Sequence, residues 1–186
     1  YKTMARTPSN MVKLGTKAPN FKLINTVNDE LVSSDNTFSK NGTIIMFICN
    51  HCPFVIHILD ELISISEQYK DEISFIAISS NDVINYPQDA PILMKKLAYE
   101  KKFSFPYLYD ETQEVAKKYN AACTPDFFLY NNDRELVYRG QLDDSRPGNN
   151  IPVTGNDLRN AIVSLIQGNK QSVNQKPSIG CCLLYT

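Results

Sequence analysis

Residues 43–69, TIIMFICNHCPFVIHILDELISISEQY, hold an apolar run that is followed at once by an amphipathic one. Residues 44–49 are apolar at every position, which predicts a strand buried on both faces at the centre of a sheet. From Pro53 to Tyr69, apolar residues recur at three- and four-residue steps, which predicts a helix, and Pro53 suits its first turn. The apolar positions are Val55, Ile58, Leu59, Leu62, Ile65 and Tyr69.

Strand and helix patterns alternate along the rest of the chain. Further strands are predicted at 21–24, 31–33, 73–78, 105–109, 126–130 and 135–139. Further helices are predicted at 91–103, 111–119 and 157–166. This order predicts a three-layer α/β domain in which strands 44–49 and 73–78 are parallel, and strands 21–24 and 31–33 form a hairpin.

The length of 186 residues fits one domain. We divide residues 1–186 into an N-terminal arm at 1–11, a core at 12–168 and a polar C-terminal tail at 169–186. In open α/β sheets, functional sites form where strands end and helices begin. Here that position is occupied by Asn50, His51, Cys52 and Pro53.

The charge balance argues against a polymer-binding role. Nineteen basic and twenty acidic residues leave a net charge of −1, so no electrostatic footprint for nucleic acid is expected.

The longest apolar stretch, 43–49, is far shorter than the roughly 20 residues that span a bilayer. The N-terminal residues lack the apolar segment of a signal peptide. We therefore expect no nucleic-acid or membrane partner, and a cytoplasmic location.

The chain has five cysteines: Cys49, Cys52, Cys123, Cys181 and Cys182. An odd number in a chain that can bury a full core is not typical of a disulfide-held domain. At the first turn of a helix, unpaired N–H groups and the helix dipole stabilise a thiolate, which is the reactive form of cysteine. Cys52 is therefore the predicted nucleophile, whereas Cys49, inside the apolar run, is predicted to be a buried filler.

Two motifs resemble those of the thioredoxin superfamily. After the buried strand comes Cys49-Asn50-His51-Cys52-Pro53, and far along the chain comes Thr124-Pro125-Asp126-Phe127. Cys52 matches the attacking cysteine of the family, while Val55 stands at the resolving position. The resemblance implies a thioredoxin fold, a three-layer α/β/α domain with a central mixed sheet and an N-terminal β-hairpin extension. It also implies a cis Pro125 that places the Thr124 backbone beside the Cys52 sulfur.

Residues 12–23, VKLGTKAPNFKL, are similar to the start of the peroxiredoxin and alkyl-hydroperoxide-reductase branch of that superfamily, Gly-x-x-Ala-Pro-x-Phe-x-Leu. The peroxidatic signature Pro-x-x-x-Thr-x-x-Cys is absent, because Ile45 and Cys49 stand where Pro and Thr are required. The resemblance implies a cofactor-free, thiol-dependent oxidoreductase that reduces a peroxide or a disulfide. Its electrons are expected from an external dithiol or a thioredoxin-like reductant; the oligomeric state is left open.

An oxidised Cys52 needs a second thiol to resolve it. The candidates are Cys49, Cys123, and Cys181 with its neighbour Cys182. The end of the strand is expected to point Cys49 to the other side of the chain, and Cys123 is near by analogy with the fold. We favour Cys181, because Gly180 permits a sharp turn that could bring the tail back.

Polar groups that could support the site are His51, beside Cys52, and two arginines in or next to the loop that precedes the last helix. We expect either a solvated connector there or a site in which Arg139 or Arg146 faces the thiolate or an anionic substrate. In the second case Asp143 or Asp144 would orient the guanidinium.

Two other functions stay open. The first is binding of copper or zinc, for which the chain offers the soft ligands Cys49, His51, Cys52 and His57. His57 lies about 140° around the helix from Cys52, and no later histidine exists in the sequence. We therefore predict no metal. The second is a non-catalytic binding module on the same fold, which the missing second cysteine of the motif favours.

Overall fold

The computed structural model describes residues 6–183, in which ten strands and five α-helices are formed. The strands are β1 (Arg6–Pro8), β2 (Lys22–Asn25), β3 (Leu31–Ser33), β4 (Thr43–Phe47), β5 (Ser74–Ser79), β6 (Tyr107–Tyr109), β7 (Cys123–Thr124), β8 (Asp126–Tyr130), β9 (Leu136–Gly140) and β10 (Ile179–Cys182). The helices are α1 (Ser34–Thr37), α2 (Pro53–Tyr69), α3 (Pro91–Glu100), α4 (Glu114–Tyr119) and α5 (Asn156–Ile166), with a 3₁₀ turn at Pro87–Asp89. Over this range, no helix combines the length and the apolar character needed to cross a bilayer.

Seven strands form a mixed sheet in the order β3-β2-β6-β5-β4-β8-β9. The predicted parallel pairing of β4 with β5 is confirmed, and the helix between them is α2. The predicted hairpin is also confirmed, since β2 and β3 are antiparallel. Because β8 runs antiparallel to β4, the centre of the sheet joins parallel and antiparallel pairs.

Helices cover both faces of this sheet. Every residue of β4 is buried, as its apolar run predicts. One core cluster joins the sheet to α2 and α5, and a second joins it to α4. Burying one such aliphatic side chain contributes about 1.5–3 kcal/mol, so the stripe of α2 fixes the helix against the sheet. This contact holds the first turn of α2, and Cys52 with it, at the sheet edge.

Several predicted bounds shift for local reasons. Helix α3 ends at Glu100 rather than at residue 103, because Lys102 takes a left-handed conformation (φ 54°). Helix α4 begins at Glu114 because Gln113 (φ 61°) is also left-handed. Strand β6 starts only at Tyr107, after Pro106, which has no N–H to donate to a ladder.

The described parts of the arm and of the tail each contain one short strand, β1 and β10, beside residues 9–11 and 169–178, which form no strand or helix. β10 pairs antiparallel with β1 on one side and with β7 on the other. Cys181 and Leu183 are buried, so the end of the tail belongs to the core. This differs from the prediction that residues 169–186 form a polar tail. Residues 1–5 of the predicted arm and 184–186 of the tail lie outside the described residues.

Gly180 does not form the sharp turn expected of it. It lies within β10, and its φ is outside the left-handed range. A Cβ at this position would meet the Thr124 carbonyl oxygen at 1.9 Å. The glycine is therefore required because β10 packs directly on the backbone that precedes Pro125.

Replacing Gly180 with alanine should push β10 away from β7. We expect Gly180→Ala to cost about 1–3 kcal/mol of unfolding free energy and to expose the Cys52 thiol. Denaturant unfolding and the rate of Cys52 alkylation measure these effects. In the control Gly168→Ala, the new Cβ meets no described atom within 4 Å, so alkylation should be unchanged, although the left-handed backbone at this position (φ 68°) costs some stability. Equal alkylation in all three proteins would contradict the assigned role of Gly180.

Asp126 is a fully buried carboxyl group at the start of β8. Its Oδ2 accepts a hydrogen bond from the Ala122 N–H at 3.3 Å. Burial raises its pKa to about 8. The folded protein thus keeps this group protonated at pH values where the unfolded chain, with an ordinary carboxyl pKa, has released the proton.

We predict that Asp126 destabilises the fold as pH rises from about 5 to about 8. The loss should be on the order of a few kcal/mol, and Asp126→Asn should remove it because the amide does not titrate. Urea unfolding of both proteins across this range isolates the effect as the difference between them. If the two pH profiles are parallel, Asp126 does not carry a raised pKa.

Candidate active site

Cys52 lies where α2 begins, and its side chain is completely buried. It is the N-cap residue, and Pro53 occupies the first helical turn, as predicted. The unpaired N–H groups of a 17-residue helix therefore favour negative charge at this sulfur. The position alone makes Cys52 more acidic than an ordinary thiol.

Two groups from distant parts of the chain touch the Cys52 sulfur. The Cys181 Sγ lies 2.7 Å from it, and the Thr124 carbonyl oxygen lies 3.1 Å away. The Thr124–Pro125 peptide bond is cis, which confirms that expectation of the family resemblance. The structure thus brings together Cys52, Thr124, Pro125 and the tail cysteine that the sequence favoured.

Cys49 joins the same cluster, contrary to the expectation that it points elsewhere. Its Sγ lies 3.5 Å from the Thr124 Oγ1, and its thiol is hydrogen-bonded to Cys52. β4 ends at Phe47, two residues earlier than predicted, so strand alternation no longer sets the direction of the Cys49 side chain. Cys49 is fully buried, as predicted.

The pKa values of the three thiols, Cys49, Cys52 and Cys181, are shifted in different directions. Hydrogen bonds from Cys181 and then from Cys49 lower the pKa of Cys52, although burial opposes the shift. The pKa of Cys181 is raised, first by its hydrogen bond with Cys52 and then by burial. The pKa of Cys49 is raised for the same two reasons. The arrangement therefore favours a Cys52 thiolate that accepts hydrogen bonds from two protonated thiols.

Cys123 lies beside the cluster on β7 and is fully buried. Its thiol donates to the Pro125 carbonyl oxygen at 3.5 Å. Burial is the main cause that raises its pKa, followed by the nearby charges of Asp126 and Cys52. Among the described contacts of Cys52, the thiols of Cys181 and Cys49 are thus within direct reach, and that of Cys123 is not.

His51 is held by Asp89, a residue that no pattern in the sequence indicates. Its Nδ1 lies 2.6 Å from Asp89 Oδ2, and its ring stacks on Tyr86 with centroids 4.8 Å apart. The bond to Asp89 raises the pKa of His51, and the charge of Cys52 acts in the same direction. His51 therefore favours the cationic form next to the thiolate.

Asp89 also fixes the loop that leads into α2. Its Oδ1 accepts the backbone N–H groups of Asn50 (2.8 Å) and His51 (3.1 Å), and its Oδ2 accepts Asn81 Nδ2 (2.9 Å). The side chain is fully buried. Asp89 belongs to a polar connector after β5. This connector starts at the sheet edge where β4 also ends, and that position is the one feature of the sequence that indicates a site residue there.

The two arginines have other partners. Arg139 donates to the Val12 carbonyl oxygen and to the Gln175 side chain, so it ties the tail to the N-terminal segment. Within residues 6–183, neither Arg139 nor Arg146 is hydrogen-bonded to Cys52. Arg146 does lie near the site, because it lines a narrow cleft with Pro125 and Ile179.

The expected orientation of Arg146 by Asp143 or Asp144 carboxylates is wrong. Its Nη1 donates to the carbonyl oxygens of Asp143 and Ser145, and its Nη2 to the Gln141 side chain. The Asp143 carboxylate instead accepts backbone N–H groups of the same loop, and Asp144 pairs with Lys176. Loop carbonyls, which the sequence pattern cannot place, hold the guanidinium.

One group of metal-ligand types converges within the described residues, namely Cys49, His51 and Asp89, with donor atoms within 4.8 Å of one another. The group suits a metal poorly, because the Asp89 oxygens already accept three N–H donors besides the His51 ring, namely the backbone N–H groups of Asn50 and His51 and the Asn81 amide. The Cys49 thiol also favours its protonated form. His57, the other histidine, contacts Ser145 Oγ at 2.7 Å through Nε2.

Comparison with known proteins gives close and distant matches. An uncharacterized conserved protein from Geobacillus kaustophilus is 52% identical with a TM-score of 0.96, covering 98% of this chain and 97% of that one. A hypothetical protein from Sinorhizobium meliloti is 40% identical, with a TM-score of 0.94 and coverage of 97% and 98%. A search of the curated proteins finds no significant match.

A more distant match is the thioredoxin domain of a thiol-disulfide oxidoreductase from Bacteroides vulgatus, with 18% identity, a TM-score of 0.64 and coverage of 83% and 99%. At this identity the match shows the fold alone, which is the expected thioredoxin fold. The model of the AhpC/TSA family matches residues 14–139, which is more than half of the chain. The chain therefore belongs to the AhpC/TSA family, a peroxiredoxin-like branch of the thioredoxin superfamily.

Proposed function

We propose that this protein is a thiol oxidoreductase in which Cys52 attacks a peroxide or a disulfide and Cys181 resolves the product. The observation that carries the proposal is the 2.7 Å contact between the two sulfur atoms. A thiolate at a helix N-terminus that faces a protonated thiol is the arrangement that thiol–disulfide exchange requires.

The two substrates converge on one disulfide. With a peroxide, the Cys52 thiolate attacks one oxygen, the alcohol or water leaves, and a sulfenic acid forms. The Cys181 thiol then attacks that sulfur and water leaves. With a disulfide, attack by Cys52 releases one thiol and leaves a mixed disulfide, from which Cys181 displaces the second thiol. Either route ends in a Cys52–Cys181 disulfide, which an external dithiol reduces.

Thr124 and Pro125 form the wall of this site. Because Cys52 is fully buried and β10 pairs with β7 along Thr124, a substrate reaches the sulfur when β10 separates from β7. The Thr124 backbone is then free to pair with an extended substrate.

We also propose that the protein acts in the cytoplasm, where dithiol reductants are present.

His51 supports the nucleophile electrostatically. Its pKa is raised, mainly by the bond to Asp89, so its positive charge next to Cys52 favours the thiolate. Pro53 contributes by starting the helix whose dipole acts on the same sulfur. Arg146, beside Pro125, is the remaining group whose charge could attract an anionic substrate.

Tryptic peptides provide a direct test of the disulfide. Cys52 lies in peptide 41–70, and Cys181 in peptide 171–186. After one equivalent of hydrogen peroxide or of oxidised glutathione, digestion without reduction should give these two peptides cross-linked. The cross-link should be absent in Cys52→Ser and in Cys181→Ser, and retained in the control Cys49→Ser. An oxidised wild type with Cys52 only as sulfinic acid or unpaired would refute the resolving role of Cys181.

Turnover separates the two cysteines. We expect Cys52→Ser to lose peroxide and disulfide reduction, because the nucleophile is absent. Cys181→Ser should keep the first attack, but its turnover with an external dithiol should fall at least about tenfold, because the resolving thiol is absent. A tenfold loss corresponds to about 1.4 kcal/mol of activation free energy. Stopped-flow and steady-state rates measure both. Wild-type rates in Cys52→Ser would reject Cys52 as the nucleophile, whereas no turnover even in the wild type would favour the binding module. Dialysis against zinc or Cu(I) tests the metal alternative.

The acidity of Cys52 should depend on Cys181. The hydrogen bond from Cys181 is the largest cause that lowers the Cys52 pKa, so Cys181→Ala should raise it. The rate of the first attack should then be nearly constant from about pH 5 to about pH 8 in the wild type, and should rise with pH in the variant. Thiolate absorbance gives a second measurement. An identical pH profile in both proteins would show that Cys181 does not act on the Cys52 proton.

A further inference from the structure

Strand β10 presents two adjacent cysteines to opposite sides. Cys181 is buried against Cys52, whereas Cys182 is exposed and has no part in the proposed reaction. In the pairing of β10 with β7, Cys181 lies opposite Thr124 and Cys182 lies opposite Cys123. A second pair of thiols therefore lies one residue along the same two strands.

The hydrogen-bond pattern shows which kind of cross-strand pair this is. The Leu183 N–H donates to the Ala122 carbonyl oxygen at 3.0 Å, so Ala122 and Leu183 occupy a hydrogen-bonded position. The next position, Cys123 opposite Cys182, is then non-hydrogen-bonded. Such pairs have Cα atoms about 4.5 Å apart, which lies within the range of about 4.4–6.8 Å that disulfides span.

Within residues 6–183, neither thiol is hydrogen-bonded to a group far along the chain. Cys123 donates to the carbonyl oxygen of Pro125, two residues on, and Cys182 donates to that of Leu183, its neighbour. Both bonds are weak and local, so they do not oppose rotation of one sulfur toward the other. The two thiols also interact electrostatically, which is one of the lesser causes that raise the pKa of Cys123.

We infer that Cys123 and Cys182 form a second redox site, at which a small disulfide such as oxidised glutathione produces a cross-strand disulfide. The exposed Cys182 thiolate attacks the small disulfide, which releases one thiol and leaves a mixed disulfide. Cys123 then gives up its proton and attacks the Cys182 sulfur, which releases the second thiol. The protein loses two hydrogen atoms, and the small disulfide is reduced to two thiols.

The bond would fasten β10 to the strand that precedes Pro125. Because Cys181 adjoins Cys182, the fastened strand keeps Cys181 on Cys52 and covers the site. This consequence for substrate access rests on the proposed function, whereas formation of the bond does not.

The first test leaves the proposed catalytic pair out. In Cys52→Ser/Cys181→Ser, oxidised glutathione should cross-link tryptic peptides 119–134 and 171–186, which contain Cys123 and Cys182. Adding Cys123→Ser should leave only glutathione attached to peptide 171–186. The wild-type protein, treated in the same way, provides the check if the double variant does not fold. Glutathione attached to Cys182 with no 119–134 cross-link in either protein would overturn the inference.

The second test asks whether the bond covers Cys52. In Cys181→Ser, alkylation of Cys52 by N-ethylmaleimide should be at least about tenfold slower with the Cys123–Cys182 bond formed than after its selective reduction. Cys181→Ser/Cys182→Ser is the matched control and should show no dependence on glutathione. Equal Cys52 alkylation with and without the bond would reject the covering role and leave the bond itself standing.

Discussion

The antiparallel pairing of β10 with β7 is the contact on which the candidate site depends. It places Cys181 opposite Thr124, at the backbone position that faces Cys52. The pairing needs close backbone approach, which only a glycine at position 180 allows. β1 supports it from the other edge, so three short strands from the two ends and the middle of the chain hold one sulfur in place.

Around that contact, the charges are arranged so that a negative sulfur has partners on several sides. Cys181 and Cys49 favour their protonated forms and can donate to Cys52. Asp89 favours a protonated His51 and simultaneously fixes the backbone of residues 50 and 51. One buried carboxylate thus sets both the position of the loop and the charge of its histidine. The Thr124 carbonyl oxygen accepts a hydrogen bond only from the thiol form of Cys52, so it acts in the opposite direction.

The sequence predicts the parts of this fold that have a local pattern. The stripe of α2 and the strand at Asp126–Tyr130 have their predicted bounds, while β4 begins one residue and ends two residues before the predicted run. β10 is not predictable in this way, because four residues with two cysteines and a glycine carry no periodicity, and their partners lie far away along the chain. The expectation that Cys181 lies near Cys52 is confirmed, but strand pairing and not a turn at Gly180 brings it there. The roles of Asp89 and of the carbonyl oxygens around Arg146 are not predictable from the sequence, because hydrogen bonds to loop backbone leave no pattern in it.

The distance along the chain between the two contacting sulfur atoms has a thermodynamic consequence. Cys52 and Cys181 are separated by 129 positions, so their contact closes most of the described chain into one loop. A covalent bond across a loop of that length removes conformational freedom from the unfolded chain worth about 5 kcal/mol in the chain-entropy model. The oxidised protein would therefore melt at a higher temperature than the reduced protein, and in a mixed sample the amplitudes of the two transitions would report the fraction of molecules in each form.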